Sequence, residues 1–588
     1  MSTNDILLGL GLVLALAVGS QLIGRLLGLP AIVVLLPAGF LAGAVTDDVH
    51  PDQLLGALFQ PFVSLAVGVI LFEAGLRLSF DEIAPRVRAP VARLIAIGVA
   101  VTLVVVAATT AALFSGMATG VAILIGAILV VSGPTVVLPL LGFMRPAREV
   151  RTLLKWEGVL VDPVGALLGV LVFQGVQSGR VGGAVWHPGE FLGSMVVGAA
   201  VGAVGAAVLF VLLREVQRSA PAMVVSTTLA VVVGSVVVSD LIREDTGFVA
   251  ATLMGITLGN QHVLPRSRRV DVTAVLGFHE ALVQLLIGVL FILIAASVTP
   301  DEVRHVLARS LVLVAVIVIV ARPLAVMLAM WRSEFSLRER AFVGWLAPRG
   351  IVAGATASAF SLQLEQQHFA GADQILPIVF IAIFATVVLY GLTAPLVARW
   401  LGVAGQERGL VLVVGGEAWA RQMATAIQSA GASVRMWVGP AADRDAARAA
   451  GIEAGPGGML LDSVNREAEL EEVTDALLLT RSDDFNALAA GELRRELGHD
   501  HVFRVAPDPE TADLLPPSSD SVPIGSSELT HSELRRRVAA GWRIRMRDGA
   551  EPAQPGDIAL LVVDAGGHVA LHGTPARAGA TVVLSRPP

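Results

Sequence analysis

The chain has 588 residues, 55% of them apolar and only 15% charged, with a mean hydropathy of +0.74. Water-soluble domains carry roughly 25% charge, so no polar shell can cover the whole of this length. A net charge of −7 speaks against a nucleic-acid partner, and the absence of cysteine excludes disulfide scaffolds, thiol catalysis and cysteine-based metal sites.

Crossing a bilayer takes about 20 apolar residues. Thirteen such runs succeed one another, near 5–23, 30–45, 58–78, 91–114, 119–142, 151–175, 190–213, 222–240, 246–260, 276–298, 305–331, 338–361 and 373–400. They predict an all-α polytopic membrane domain over residues 1–402. The second and ninth runs are short and are expected to be tilted, broken or supported by neighbours. The first is no cleavable leader, because Asp5 precedes it, no basic segment does, and further runs follow. Alternate loops hold seventeen Lys and Arg residues against four in the other set, from Arg25 through Arg340. By the positive-inside rule this puts the N-terminus outside and everything after residue 402 in the cytoplasm. The acidic loop Asp47-Asp48-Val49-His50-Pro51-Asp52 then lies on the outer face.

In the fifth run, Ser132-Gly133-Pro134-Thr135 interrupts the helix in mid-membrane. Irregular backbone at that depth survives only inside protein or along a water-filled cavity, and discontinuous helices are a recurring transporter device, often in inverted repeats. A kink used only for packing is the alternative.

Charges within apolar runs cost at least about 2.5 kcal/mol each and mark function by default. Glu157 and Asp162 lie in the sixth run and Arg349 in the twelfth; Glu73, Glu280 and Arg322 are read as nearer run ends, within reach of water. Five residues separate Glu157 from Asp162, about 140° around a helix, so the two acids do not share a face. One can pair permanently with Arg349 while the other binds and releases a cation or proton. Alternatively all three form one network that only pins helices, although two acids against one base leave a charge unmatched. Pro163 frees a carbonyl one turn back, near Val159.

These residues resemble the monovalent cation:proton antiporter family, the sodium/proton exchanger fold of the NhaP type, over roughly residues 5–400. The marks are Leu71-Phe72-Glu73-Ala74-Gly75-Leu76, the break in the fifth run, Glu157-Gly158 followed by Asp162-Pro163, and Glu244-Asp245-Thr246-Gly247-Phe248-Val249-Ala250. Ala321-Arg322-Pro323, Pro348-Arg349-Gly350 and Tyr390-Gly391-Leu392-Thr393-Ala394-Pro395 complete the set. The resemblance implies that Asp162 is the ion- and proton-exchanging carboxylate, that Glu157 and Arg349 form a structural salt bridge, and that Ser132 is a hydroxyl ligand among crossed helices. The family's usual Asn before the exchanging Asp is Val161 here, and its Thr-Asp-Pro break is Ser132-Gly133-Pro134. Asp162, hydroxyls such as Thr135, carbonyls and water are left to coordinate the ion. One exchanging acid trades one H⁺ for one monovalent cation, Na⁺ or K⁺, without net charge movement. The resemblance also implies a homodimer in the plasma membrane and a part in pH homeostasis.

Beyond Arg399 the runs shorten and charges, Pro and Gly spread. Gly409 to Gly416 reads as a strand entering a glycine turn, Ala420 to Ala430 as a helix and Ser433 to Val438 as a second strand, the opening of a Rossmann-like unit over 409–507. With Ala476-Leu477-Leu478-Leu479-Thr480, Asp483 to Ala490 and Val502 to Pro507, it resembles the TrkA/RCK-type domain that regulates potassium transport. Gly415 and Gly416 would be the cofactor-binding glycines, yet the spaced glycines of the dinucleotide fingerprint are missing, Glu417 would repel phosphate, and Gly439 stands where an acid should hold the ribose. A docking or dimerisation module is therefore favoured over a nucleotide site. Residues 508–540 read as a linker with a polar helix, and 541–588 as a small β-rich piece. No cofactor is assigned, and a nucleotide bound by the tail stays open as the alternative to a docking module. The function expected is secondary-active cation/proton antiport, not an enzyme's; the alternatives are a ligand-gated potassium efflux system and a transport-inactive sensor.

Overall fold

The computed structural model describes residues 3–27, 29–80, 83–144, 146–177, 188–244, 246–261, 270, 272–403, 410–456, 473–512, 522–526, 528–548, 554, 556–564, 566–570 and 579–586. The chain divides into two units, Met1–Gly405 and Gln406–Pro588. The loop cations Arg145, Arg180, Arg266, Arg268 and Arg269, together with Asp245 and Gly409, lie outside the described residues.

The first unit is helical: α1 (Thr3–Leu27), α2 (Ile32–Val45), α3 (Phe59–Leu76), α4 (Pro85–Leu113), α5 (Thr119–Ile128), α6 (Pro134–Met144), α7 (Arg148–Gln177) and α8 (Pro188–Ser219). There follow α9 (Val224–Ile242), α10 (Gly247–Gly259), α11 (Thr273–Ala296), α12 (Pro300–Val316), α13 (Arg322–Ala329), α14 (Leu337–Trp345), α15 (Ile351–Gln366) and α16 (Ile375–Trp400). Among the described residues nine helices are long and apolar enough to cross a membrane, with α2, α5 and α10 as shorter apolar helices. Each predicted run falls on one helix or on a pair broken in the middle: α5/α6, α12/α13 and α14/α15. The second of these breaks is a π-helical stretch, Ile317–Ala321.

The short helices are supported by backbone-close packing. A Cβ on Gly255 would stand 2.1 Å from the Phe72 carbonyl oxygen, and one on Gly39 would stand 2.7 Å from that of Ile292, so α10 lies directly on α3, and α2 on α11. Small residues at such crossings are how apolar helices associate where solvent gives no hydrophobic drive. By packing, α1, α2, α3 and α8–α11 form one bundle, and α4–α7 with α12–α16 form another. In chain order three helices of the first bundle precede three segments of the second, and the pattern recurs after α8. In both cycles the middle segment of the second bundle, α5/α6 or α14/α15, is broken.

The second unit holds a six-stranded parallel sheet in the order β3-β2-β1-β4-β5-β6, built from β1 (Leu410–Val414), β2 (Ser433–Val438), β3 (Glu453–Pro456), β4 (Val473–Leu478), β5 (Val502–Arg504) and β6 (Val522–Pro523). This is the doubly wound order, with its switch point between β1 and β4. Its helices are α17 (Ala418–Ser429), α18 (Ala441–Ala449), α19 (Asp483–Leu497) and α20 (His531–Ala539). A four-stranded antiparallel sheet, β7-β10-β8-β9, is made of β7 (Arg543–Arg547), β8 (Ile558–Asp564), β9 (Val569–Ala570) and β10 (Gly579–Ser585). The fully buried Asp475 of β4 ties the sheets together, accepting from the Val569 N–H at 3.2 Å and facing His501 Nδ1 at 2.9 Å. Of the stretch 508–540, expected to be a linker with a polar helix, the described residues include that helix, α20, and are packed on the sheet: β6 pairs with β5 and extends it, and Leu534 of α20 joins its core.

Candidate functional site

Helix α5 ends at Ile128 and α6 begins at Pro134; α14 ends at Trp345 and α15 begins at Ile351. The two gaps touch. A Cβ on Gly350 would lie 2.5 Å from the Gly133 Cα, and one on Gly133 would lie 2.8 Å from the Gly350 Cα, closer than any side chain allows. The sequence-predicted break at Gly133 and Pro134 thus meets a second break, Pro348-Arg349-Gly350, at a glycine-on-glycine crossing. Both α6 and α15 start there, so their N-terminal partial positive charges converge on the crossing and favour a carboxylate beside it.

Helix α7 supplies that carboxylate. Gly158, Asp162 and Gly165 recur at intervals of four and three residues and so line one face. A Cβ on Gly158 would come 3.6 Å from the Ser132 carbonyl oxygen, and one on Gly165 would strike Val131 Cγ2 at 2.5 Å. These glycines bring α7 against the break, with Asp162 between them. Asp162 is fully buried, and among the described residues neither of its oxygens has a hydrogen-bond partner. Thr135 Oγ1 is likewise buried and unpartnered. A Cβ on Gly133 would stand 3.2 Å from Thr135 Oγ1 and 3.5 Å from Asp162 Oδ2, so both oxygens border one point beside the crossing. Ser132 is buried in the same gap, while Val161 adds only a buried methyl pair. Pro163 follows within α7. Buried oxygens without partners are costly, and a bound proton or a small desolvated cation relieves that cost.

The predicted salt bridge is corrected. Glu157 is buried and pairs in bidentate fashion with Arg322, whose Nη1 donates to Oε1 and whose Nη2 donates to Oε2 at 2.8 Å. Arg322 is itself buried, not a snorkelling residue at a helix end, and its Nε donates to the Val343 carbonyl at 3.0 Å. Arg349 answers a different need. The break after α5 leaves carbonyls without intrahelical donors, and Arg349 Nη1 donates to those of Val130 at 3.2 Å and Val131 at 3.5 Å. Its own N–H is taken by Thr386 Oγ1 at 3.3 Å. The signal for Arg322 was in the spacing. It lies nine residues before the end of its run, about 14 Å along a helix, beyond the reach of an arginine side chain.

In the second unit, Gly415 and Gly416 follow β1 at the switch point. A Cβ on Gly415 would meet the Leu479 carbonyl oxygen at 2.6 Å, and one on Gly416 would meet Val438 Cγ1 at 2.4 Å. The glycines are used to seat the loop on β4 and β2. The start of α17, where a dinucleotide's phosphates would rest, instead has Glu417 as its N-cap residue. A carboxylate in that place repels phosphate, and these residues do not fit a nucleotide.

Residues 12–400 match the family described as sodium/hydrogen exchanger, transmembrane. Among curated relatives, the K(+)/H(+) antiporter NhaP of Alkalimonas amylolytica is 28% identical over 413 residues, covering 68% of this chain and 67% of its own. The Na(+)/H(+) antiporter NhaH of Halobacillus dabanensis is 24% identical over 416 residues, covering 68% of this chain and 99% of its own. Among solved structures, the sodium proton antiporter MjNhaP1 from Methanocaldococcus jannaschii shares the fold with a TM-score of 0.55 at 21% identity, over 66% of this chain and 100% of that one.

Proposed function

Because that match spans more than half its length, the chain belongs to the sodium/hydrogen exchanger family, and on this premise we propose that it exchanges a monovalent cation, Na⁺ or K⁺, for H⁺ at Asp162. The observation that carries the reading is the contrast between the two buried acids. Glu157 is neutralised by the fork of Arg322, whereas Asp162 is left with no hydrogen bond to either oxygen among the described residues. A proton and a cation compete for that one carboxylate, with the Thr135 hydroxyl and Ser132 beside it. Each occupant carries one charge, so a cycle that brings one in and takes the other out is electroneutral. The two bundles supply the moving parts, with the glycine crossing fixed on one of them while the other shifts.

Thirteen crossings follow from the apolar runs, an outer N-terminus and a cytoplasmic tail from the alternation of loop charges, and a homodimer in the plasma membrane from the family resemblance. The relatives named for K⁺ and for Na⁺ support either cation. The test uses inverted vesicles carrying the full chain, acid-loaded and read with a pH-sensitive dye, with Na⁺, K⁺ or Li⁺ added in turn. Dequenching by one of these cations that is absent in Asp162→Asn supports the reading; dequenching that survives the substitution moves the exchange site elsewhere.

A further inference from the structure

The tail divides its charge unevenly. Residues 409–530 hold 20 Asp and Glu against nine Arg, whereas residues 531–588 hold eight Arg against five acids. Six of those eight arginines fall between 535 and 547, along α20 and β7. Arg536 and Arg537 share Glu533, and Arg545 meets Asp557 at 3.4 Å. Among the described residues Arg535, Arg543, Arg547 and Arg586 have no acid within ion-pair distance, and all but Arg547 are exposed. The backbone gathers them. Arg543, Arg545 and Arg547 alternate with Ile544, which β7 turns into the core, so the three share the opposite face. At the edge of its sheet, β7 pairs with β10 and sets Arg543 opposite Ser585, the residue before Arg586. Trp542 is half-buried, with the guanidinium of Arg537 5.1 Å from its ring centroid and that of Arg586 5.4 Å from it.

We propose that this basic surface docks on the anionic headgroups of the lipid bilayer. Charge and tether name the occupant. Only nine residues, 401–409, separate the end of α16 from β1, about 30 Å at full stretch, so the tail is held beside a membrane. Clusters of this many basic residues on membrane-tethered segments are drawn to anionic lipid. Guanidiniums fork onto phosphate oxygens, and a tryptophan among them suits the headgroup level, where one end of its ring is wet and the other apolar. The acidic lobe sharpens the choice. An anionic surface repels residues 409–530 and attracts residues 531–586, so the field turns the tail until its basic surface faces the lipid. A nucleic acid would meet the same repulsion with no tether to offset it. The proposal rests on the charges and the tether of the tail, apart from the exchange reading.

The chain has no cysteine, so Ala540→Cys, at an exposed position just before the Gly541-Trp542 turn, carries a polarity-sensitive fluorophore without background labelling. The full-length protein is placed in nanodiscs of phosphatidylcholine alone or mixed with phosphatidylglycerol. Both leaflets of a disc hold the same lipid, so the outcome is independent of the side on which the tail lies. Anionic discs should give a blue-shifted emission that zwitterionic discs do not. Salt at about 1 M should reverse it, since the Debye length is then roughly 3 Å. Arg535→Gln, Arg543→Gln and Arg586→Gln together should weaken docking about a hundredfold, at roughly fivefold per arginine. The lipid and salt comparisons use the native arginines and do not depend on how that variant folds. In zwitterionic discs neither inorganic phosphate nor an oligonucleotide should produce the shift. Equal emission in the two discs, a shift that survives salt or the triple substitution, or a shift produced by phosphate or by the oligonucleotide would overturn the proposal.

Discussion

Exchanging Arg322 for Met would leave Glu157 charged and buried with its bidentate partner gone, whereas Arg349→Met would leave Glu157 paired. Removing one partner of a buried ion pair costs about 3–5 kcal/mol. At roughly 2 °C per kcal/mol for a large domain this is a fall in Tm of about 6–10 °C. Arg349→Met forfeits instead the charged donors on the Val130 and Val131 carbonyls, about 1.5–3 kcal/mol. A double-mutant cycle read by thermal unfolding of the detergent-purified chain separates the two. Glu157→Gln combined with Arg322→Met should recover about 2 kcal/mol or more relative to the sum of the single changes, since neither charge is then stranded. Glu157→Gln combined with Arg349→Met should be additive within about 0.5 kcal/mol. A coupling of Glu157 to Arg349 as large as that to Arg322 would refute the assignment.

Asp162→Asn should abolish exchange in vesicles without lowering Tm, because it replaces an unpartnered buried carboxylate by a neutral amide; a loss of stability comparable to that of Arg322→Met would show that Asp162 is structural. Gly350→Ala and Gly133→Ala each force a methyl into a contact of 2.8 Å or less, and overpacking of this kind costs about 1–3 kcal/mol. Both proteins should still insert and purify, yet lose exchange, and full activity in either would disprove the tight crossing. In the tail, burial works to raise the Glu417 carboxyl, but side-chain hydrogen bonds from Trp419 and Arg481 outweigh it and hold it below the ordinary range. A carboxyl held low in the folded state contributes stability that is present above its unfolded value and lost as pH falls through the folded one. Protection of α17 should therefore collapse on acidification below the ordinary glutamate range of about 4.3, and Glu417→Gln should remove that acid limb.

The break at Ser132-Gly133-Pro134 was legible because it combines a residue that lacks a donor with one that lacks a side chain; Pro348-Arg349-Gly350 holds the same two residue types, yet the sequence reading expects no break there. The separation of Glu157 from Asp162 was legible from helical phase alone. Which arginine meets Glu157 was not, because two buried guanidiniums compete and their choice is made by the free carbonyls at Val130 and Val131, which exist only once the helices cross. The edge strand β6 of the parallel sheet was hidden for another reason. It is two residues long and contains Pro523, a residue that sheets accept chiefly at an edge, and β6 is an edge. The approach of His531 to Glu417 was equally out of reach, since over a hundred residues separate them and nothing local signals the meeting.

The wide turn at Ile317–Ala321 decides where the following residue points. A π-helical turn takes in one residue more than an α-helical one, and each residue is worth about 100° of rotation. The helical phase is therefore reset just ahead of Arg322, which brings its guanidinium round to Glu157. Wound as an ordinary α-helix, the same residues would turn Arg322 about 100° away from Glu157 and unpair the acid without altering any side chain at the site. The insertion works as a key cut to one angle, and the ion pair turns with it.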